Sequence, residues 1–458
     1  MADYLTLEEL QLRTGEKLER LRDWQTRGLI GADQIDVFLD RDLGRARLIH
    51  DLLHWGIDLD TIAQAANDPN SVFSRFLDEI SERHKAPTHS LQEACEITGV
   101  DIPLAQRLLD AAGFESHSEL LDEGDIELLR SCRIAIDAGL PEEAMIQILR
   151  VYADAMNRVA EVSVRSSHFY LHQPLREQGL PADAIVQRIT EASARVEPLV
   201  EPALVYFHHK GLARAEWEDM IMHLEEEAGL AEKSDAPGQI RRAIMFVDLA
   251  SFTPLAEAMG DLRALAILDR FGAITRKAVQ RCHGRIVKQI GDAFMIVYSE
   301  CYSAVSAGLE LEAASQAEPQ FPAIRIGMHW GPVLYREGDY IGSNVNIASR
   351  LAEEAHRHQF LVTDEVRRRA KSLEGAEFVR IGRRRLKGLA AELDLFEVRS
   401  VDPTELTRVA DPVCGMELGP REIAARLTVD GREHAFCSDD CLRKFVKAPD
   451  LYSAVPAE

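Results

Sequence analysis

AIMFVDLASFT, residues 243–253, runs five apolar residues into one aspartate, Asp248, and then through small and hydroxyl-bearing residues to Pro254. A continuous apolar run of this kind reads as a strand buried on both faces, and Thr253 followed by Pro254 marks a helix start. Asp248 is thus expected at the exit of a central strand. The turn beyond it, Leu249, Ala250, Ser251 and Phe252, has backbone amides that can face a phosphate.

Downstream, RIVKQIGDAFMIVY (285–298) reads as two apolar strands folded about Gly291 and Asp292. In a ferredoxin-like βαββαβ sheet the third strand lies antiparallel beside the first, so the hairpin tip approaches the exit of strand one. Asp248 and Asp292 are then expected to meet. Two carboxylates brought together repel unless they share a cation, and hard oxygen ligands beside a phosphate suit Mg²⁺ or Mn²⁺. Taken alone, two strand-end aspartates read more readily as solvated turns, so the pair needs support from other residues.

DYIGSNVNIASR (339–350) places Asn346 and Arg350 four residues apart in a helical pattern, on one face. Asp339 stands in the approach to that helix, and Lys288 precedes Asp292 by four residues. Together these residues match the pattern of the class III nucleotidyl cyclases, which the chain resembles from Arg241 to Val398. The resemblance implies that Asp248 and Asp292 bind two Mg²⁺ or Mn²⁺ ions, and that Lys288 and Asp339 read the adenine edge of ATP. It further implies that Asn346 orients the ribose and Arg350 stabilises charge on the α-phosphate. Lys387, in RRRLKGLA (383–390), stands where the family has a basic residue on the terminal phosphates; the neighbouring arginines read equally as a solvated strand edge.

The implied reaction is attack of the ribose 3′-hydroxyl on the α-phosphorus, giving cyclic AMP and pyrophosphate, with two metals lowering the hydroxyl pKa and stabilising developing charge. In this family the metal aspartates come from one chain and the Lys, Asp, Asn and Arg from its partner. A homodimer of this chain would complete two sites, since all six positions are filled. A lysine donor and an aspartate acceptor suit adenine, whereas guanine presents the reverse pattern.

Ahead of this region, residues 4 to about 230 show helical periodicity, broken at ANDPNS (67–72) and HKAPTHS (84–90). LEELQLRTG (7–15) resembles LQEACEITG (91–99), and HWGIDLDTI (54–62) resembles DAGLPEEAM (137–145), which implies two helical units in tandem. Both resemble the helix-turn-helix part of MerR-type regulators. His168 and His172 share a helix face, and with His208 and His209 they can titrate near neutral pH; ordinary solvated or core histidines remain the plainer reading.

Behind it, DPVCGM (411–416) and HAFCSDDC (434–441) resemble the YHS domain, a small metal-associated module. Cys414, Cys437 and Cys441, with His434 as a fourth ligand, suit Zn²⁺ or another soft metal such as Cu⁺; plain buried thiols are the alternative. Cys95, Cys132, Cys282 and Cys301 read as core.

The expected architecture is multidomain. An all-α regulatory half comprises a MerR-like unit (1–86) and a second helical unit with connecting helices (87–232); an α+β ferredoxin-like catalytic domain (241–399) and a YHS-like domain (409–455) follow. The linkers are AEKSDAPGQI (231–240) and RSVDPTELTRVA (399–410). The 458 residues carry a formal net charge of −23 and no apolar run long enough for a bilayer, which disfavours nucleic-acid and membrane partners. No secretory signal precedes the seven cysteines, so a reducing cytoplasm is expected. The competing functional reading is a nucleotide-sensing regulator that binds DNA or a protein through its MerR-like units.

Overall fold

The computed structural model describes residues 4–452 except 32–36, 69–70, 72, 75–76, 78–88, 114–119, 230–235, 237, 390, 402–407 and 421. Much of the first expected linker, half of the second and the end of the expected 409–455 domain thus lie outside the described residues. The chain forms two compact units, Met1–Trp217 and Glu218–Glu458. Among the described residues no helix is long and apolar enough to cross a membrane.

The first unit is helical and repeats one plan. Helix Leu7–Thr14 opens with a capping box between Thr6 and Glu9 and closes on Gly15 in the left-handed region. Helix Leu91–Thr98 does the same with Ser90, Glu93 and Gly99. In each case the cap satisfies otherwise orphaned amides, and glycine takes the positive φ at no steric cost. A second short helix follows in each copy, Leu18–Thr26 and Ile102–Ala111, and then a fifteen-residue helix, Asp40–His54 and Glu123–Asp137. Chain entry is tied to the third helix by a bridge between Leu5 and Phe38 in one copy. In the other it is tied by the two-residue strands β1 (His89–Ser90) and β2 (Leu120–Leu121). Each copy has its own core, around Leu10, Trp24 and Phe38 in the first and Leu104, Leu108 and Leu129 in the second. The long helices Glu142–Ser167 and Ala182–Glu227 come next, and between them His168–His172 form a π-helical turn.

The second unit is built on a mixed sheet. β3 (Gln239–Leu249), β4 (Arg285–Ile290), β5 (Ala293–Tyr298) and β7 (Ile324–Arg336), with helices Asp261–Arg281 and Cys301–Ala317, make the βαββαβ core. The order across it is β7-β3-β5-β4, all antiparallel. β3 is hydrogen-bonded on both sides, which is why Ala243–Val247 are apolar without alternation and all buried. Beyond β7 the sheet continues through β9 (Gln359–Thr363), parallel to β7, then β11 (Leu393–Ser400) and β10 (Ala376–Arg384). β8 (Asp339–Ile341) pairs with the end of β7 and leads into helix Ser343–Glu354.

The cysteine-bearing module is docked onto this core. β12 (Val409–Ala410) and β13 (Met416–Leu418) extend from β6 (Phe321–Pro322), and hairpin β14 (Ala425–Val429) and β15 (Arg432–Phe436) precedes helix Asp439–Lys447. Val413, Met416, Phe436 and Phe445 belong to the same buried cluster as Leu255, Phe271 and Phe321.

Candidate active site

Sheet register assembles the site. Asp248, one residue before the end of β3, lies opposite Ala293 on one side and Arg325 on the other. Ala293 follows Asp292, which sits in the β4–β5 turn where Gly291 has φ +61°. The two aspartates therefore come together as the topology predicts. Burial pushes the Asp248 carboxyl up to about 6; the Arg325 guanidinium opposes that shift, and the Asp292 charge adds to it. Such a carboxylate, desolvated and crowded by a second one, is short of positive charge, and two hard oxygen donors fit Mg²⁺ or Mn²⁺.

Arg325 escaped the sequence reading. It makes an ion pair with Asp248 as its cross-strand neighbour. The available signal was a lone arginine in the mostly apolar run IRIGMHW, because a charge at a half-buried strand position needs a partner.

The Ser251 turn departs in part from expectation. Leu249 is still in the sheet opposite Ile324, and the Ala250 amide donates to the Ala323 carbonyl at 2.8 Å, so that amide is committed to the fold. Ser251 takes the left-handed region at φ +65° and leads directly into helix Phe252–Met259.

Lys288 and Asp339 form an ion pair with each other, across β4 and β8. The Tyr340 hydroxyl accepts a hydrogen bond from Arg285 at 2.7 Å, and the same guanidinium lies over the Tyr335 and Tyr340 rings. These contacts hold the two short strands together, a supporting role the sequence did not announce. Asn346 is exposed and Arg350 half-buried on helix Ser343–Glu354, where Arg350 pairs with Glu353. That helix is fixed by Gly327, where a methyl group would collide with the Ala352 amide nitrogen. His329 holds it too, bridging Thr363 Oγ1 at 2.8 Å and Asn344 Oδ1 at 2.9 Å. Burial lowers the His329 pKa, so the ring is neutral and shares its hydrogen bonds as one donor and one acceptor. Lys387 is exposed in the turn after β10, and among the described residues no hydrogen bond or ion pair joins it to the aspartates.

In the C-terminal module Asp411, Cys414, Cys437 and Cys441 present ligand atoms within 4.8 Å of one another. His434 is not part of the group. On β15 it packs its ring 4.8 Å from that of Phe445, and Asp411 stands in its place. The sulfur separations are 3.5 Å (Cys414–Cys437) and 3.6 Å (Cys437–Cys441). A tetrahedral Zn–S bond of about 2.3 Å gives an edge of about 3.8 Å. Hydrogen bonds from the Cys414 and Cys437 thiols pull Cys441 far below the ordinary thiol range. The Asp411 carboxylate accepts from the amides of Val413 and Cys437 at 2.8 and 2.7 Å, which orients it toward the sulfurs.

Three family models match in succession: the adenylate cyclase regulatory domain over residues 40–208, the adenylate and guanylate cyclase catalytic domain over 238–398, and the YHS domain over 409–454. A pH-sensitive adenylate cyclase of Mycobacterium tuberculosis is 26% identical over 362 residues, covering 78% of this chain and 88% of the relative. An adenylate cyclase of Streptomyces coelicolor is 27% identical over 303 residues, covering 66% and 75%. Among solved structures, the adenylyl cyclase CyaB from P. aeruginosa aligns with a TM-score of 0.33 at 20% identity, covering 37% of this chain and 98% of that one. The chain thus carries an adenylate and guanylate cyclase catalytic domain, with an adenylate cyclase regulatory domain ahead of it and a YHS domain behind it.

Proposed function

We propose that two copies of this chain make cyclic AMP from ATP in shared sites, each taking Asp248 and Asp292 from one copy and Lys288, Asp339, Asn346 and Arg350 from the other. The observation that carries this is the meeting of Asp248 and Asp292 at the exit of β3, with the Asp248 carboxyl pushed up to about 6. Within one chain Lys288 bonds to Asp339 and Arg350 to Glu353, so the base-reading and charge-stabilising groups are held together rather than turned onto their own aspartates. A second copy also suits helix Ala182–Glu227, where Leu199, Phe207, Trp217 and Leu224 are all more than 60% exposed.

Bound divalent ions would supply charge neutralisation and acidify the ribose 3′-hydroxyl. Asp248 and Asp292 hold them; Ser251 and Phe252 present the turn to the departing phosphates, with Lys387 as a further cation. Asn346 orients the ribose, and Arg350 places its fork where α-phosphate charge develops. Lys288 donates to the adenine ring nitrogen and Asp339 accepts from its amino group.

We further propose the division 1–86, 87–232, 241–399 and 409–455, with the first two units regulatory and sensitive to pH. The His168–His172 π-turn, whose imidazole nitrogens lie 3.2 Å apart, supports this, as does the name of the mycobacterial relative. Seven free cysteines suit a cytoplasmic setting.

The test is cyclic AMP production from ATP with Mn²⁺, compared with GTP and with Asp292→Ala. Loss in the variant and low turnover of GTP are expected. Full activity in Asp292→Ala refutes the metal role, and preference for GTP refutes the base assignment.

A further inference from the structure

The C-terminal module grips the helix that follows the metal aspartate at both of its ends. β13 pairs with β6, and Ala323, next after β6, accepts the Ala250 amide of the catalytic turn. The loop from Asp411 to Met416 is closed by Gly415 N–H donating to Asp411 O at 2.8 Å and Asp411 N–H donating to Met416 O at 2.9 Å. This loop carries two of the four ligand atoms, those of Asp411 and Cys414. Its Gly415, at φ +73°, lies directly on the turn: a methyl group there would stand 3.0 Å from Ser251 Cβ and 3.5 Å from Arg357 Nη1. Arg357 fastens the loop by donating to Gly415 O and to Glu417 Oε1, both at 2.7 Å. At the other end Lys444, one turn along the helix from Cys441, donates to the Ala258 carbonyl.

Helix Phe252–Met259 is therefore held at its first turn by the loop that carries Cys414 and near its last by the helix that carries Cys441. Joining those sulfurs through one ion would fix the two grips relative to each other. Ser251 bears backbone strain in the left-handed region, a conformation that persists only where its surroundings enforce it. Gly415 is the module's residue that stands against it, too close to admit a methyl group without a shift.

We propose that a soft or borderline cation held by Asp411, Cys414, Cys437 and Cys441 favours nucleoside triphosphate binding at the Ser251 turn, with Gly415 as the positioning residue that transmits the coupling. This rests on the cyclase reading of that turn and on the fit of the thiol site. Linkage is reciprocal, so nucleotide must tighten the cation by the same factor.

The experiment uses the full chain under reducing conditions, with Co²⁺ as the probe, because thiolate ligation gives it an intense near-ultraviolet absorption. Co²⁺ is titrated with and without a non-cyclisable ATP analogue and saturating Mg²⁺. The analogue should lower the Co²⁺ dissociation constant about fivefold or more. Cys441→Ser should abolish the band, which separates this site from the catalytic one. Gly415→Ala should keep the band and lose the nucleotide shift; Arg357→Gln, which adds no atoms, should weaken the shift if the alanine variant does not fold. No thiolate band in the wild type overturns the proposal through its metal. A normal band unmoved by nucleotide, in protein that still cyclises ATP, overturns the coupling and leaves the cyclase reading standing. An undiminished shift in both Gly415→Ala and Arg357→Gln overturns the role given to the loop.

Discussion

Replacing Arg325 with methionine tests the electrostatics of the proposed metal site directly. Asp248 is driven up to about 6 chiefly by burial, against the pull of the Arg325 guanidinium. An adjacent opposite charge ordinarily lowers a carboxyl by about 1–3 units, so its removal should carry Asp248 to about 7–9. At a pH of about 7 the ionised fraction then falls from about 90% to about 10% for a midpoint of about 8, and the apparent affinity for Mn²⁺ falls about tenfold, because proton and metal compete for one carboxylate. The assay is cyclic AMP formation against Mn²⁺ concentration over a pH series. The acid limb should move up by at least about one unit at limiting Mn²⁺ and return toward wild type at saturation. Above a pH of about 9 the variant should bind Mn²⁺ at least as tightly as wild type, since Arg325 no longer occupies the ionised carboxylate. Stability follows the same sign. A carboxyl raised in the folded state binds its proton more tightly there, so metal-free stability declines as pH rises between the ordinary and the raised value, and the variant extends that decline upward. An acid limb that stays in place or moves down refutes the reasoning.

Gly327→Ala should cost about 3 kcal/mol in chemical denaturation, because its methyl meets backbone that cannot yield; a change under about 0.5 kcal/mol refutes the close packing of helix Ser343–Glu354. Lys288→Glu combined with Asp339→Cys should reduce ATP use more than GTP use, and equal losses mean that these residues do not read the base. The pKa of His172 is lowered by burial, then by His168 and Arg176. Its neutral form is the one the fold holds, so the π-turn should loosen as pH falls below about 6.5. Faster amide exchange over residues 165–178 on acidification, lost in His168→Gln/His172→Gln, is the expected result; an unchanged pH dependence in the double variant removes these histidines from the pH response.

Local chemistry was legible wherever a short stretch carried its own instruction. The capping boxes at Thr6 and Ser90, with Gly15 and Gly99 closing each helix, write the tandem helical plan into the sequence. The unbroken run Ala243–Val247 announces a strand flanked on both sides, and Gly291 with Asp292 announces the hairpin. Because the crossover order of a βαββαβ sheet follows from those elements, the approach of Asp292 to Asp248 was legible as well. Likewise the spacing of Asn346 and Arg350 declared a shared helix face.

What joins distant segments was not. Arg325 opposes Asp248 only through the register of β3 against β7, a pairing fixed by how the whole sheet packs its two faces. His434 and Asp411 are equally good ligands in one dimension; the hairpin of β14 and β15 turns the histidine toward Phe445 while the loop closed on Met416 turns the aspartate toward the thiols. The grip of the module on Ser251 and Ala258 depends on β13 adding to β6, where backbone hydrogen bonds and shared burial leave no residue pattern to read. Periodicity and turn chemistry were enough to give the elements and the meeting of Asp248 with Asp292, and the roles proposed for the site residues came from the resemblance to class III cyclases. Which charges are neighbours, and which module touches the catalytic turn, emerged only in three dimensions, because contact between segments far apart in the chain is set by packing.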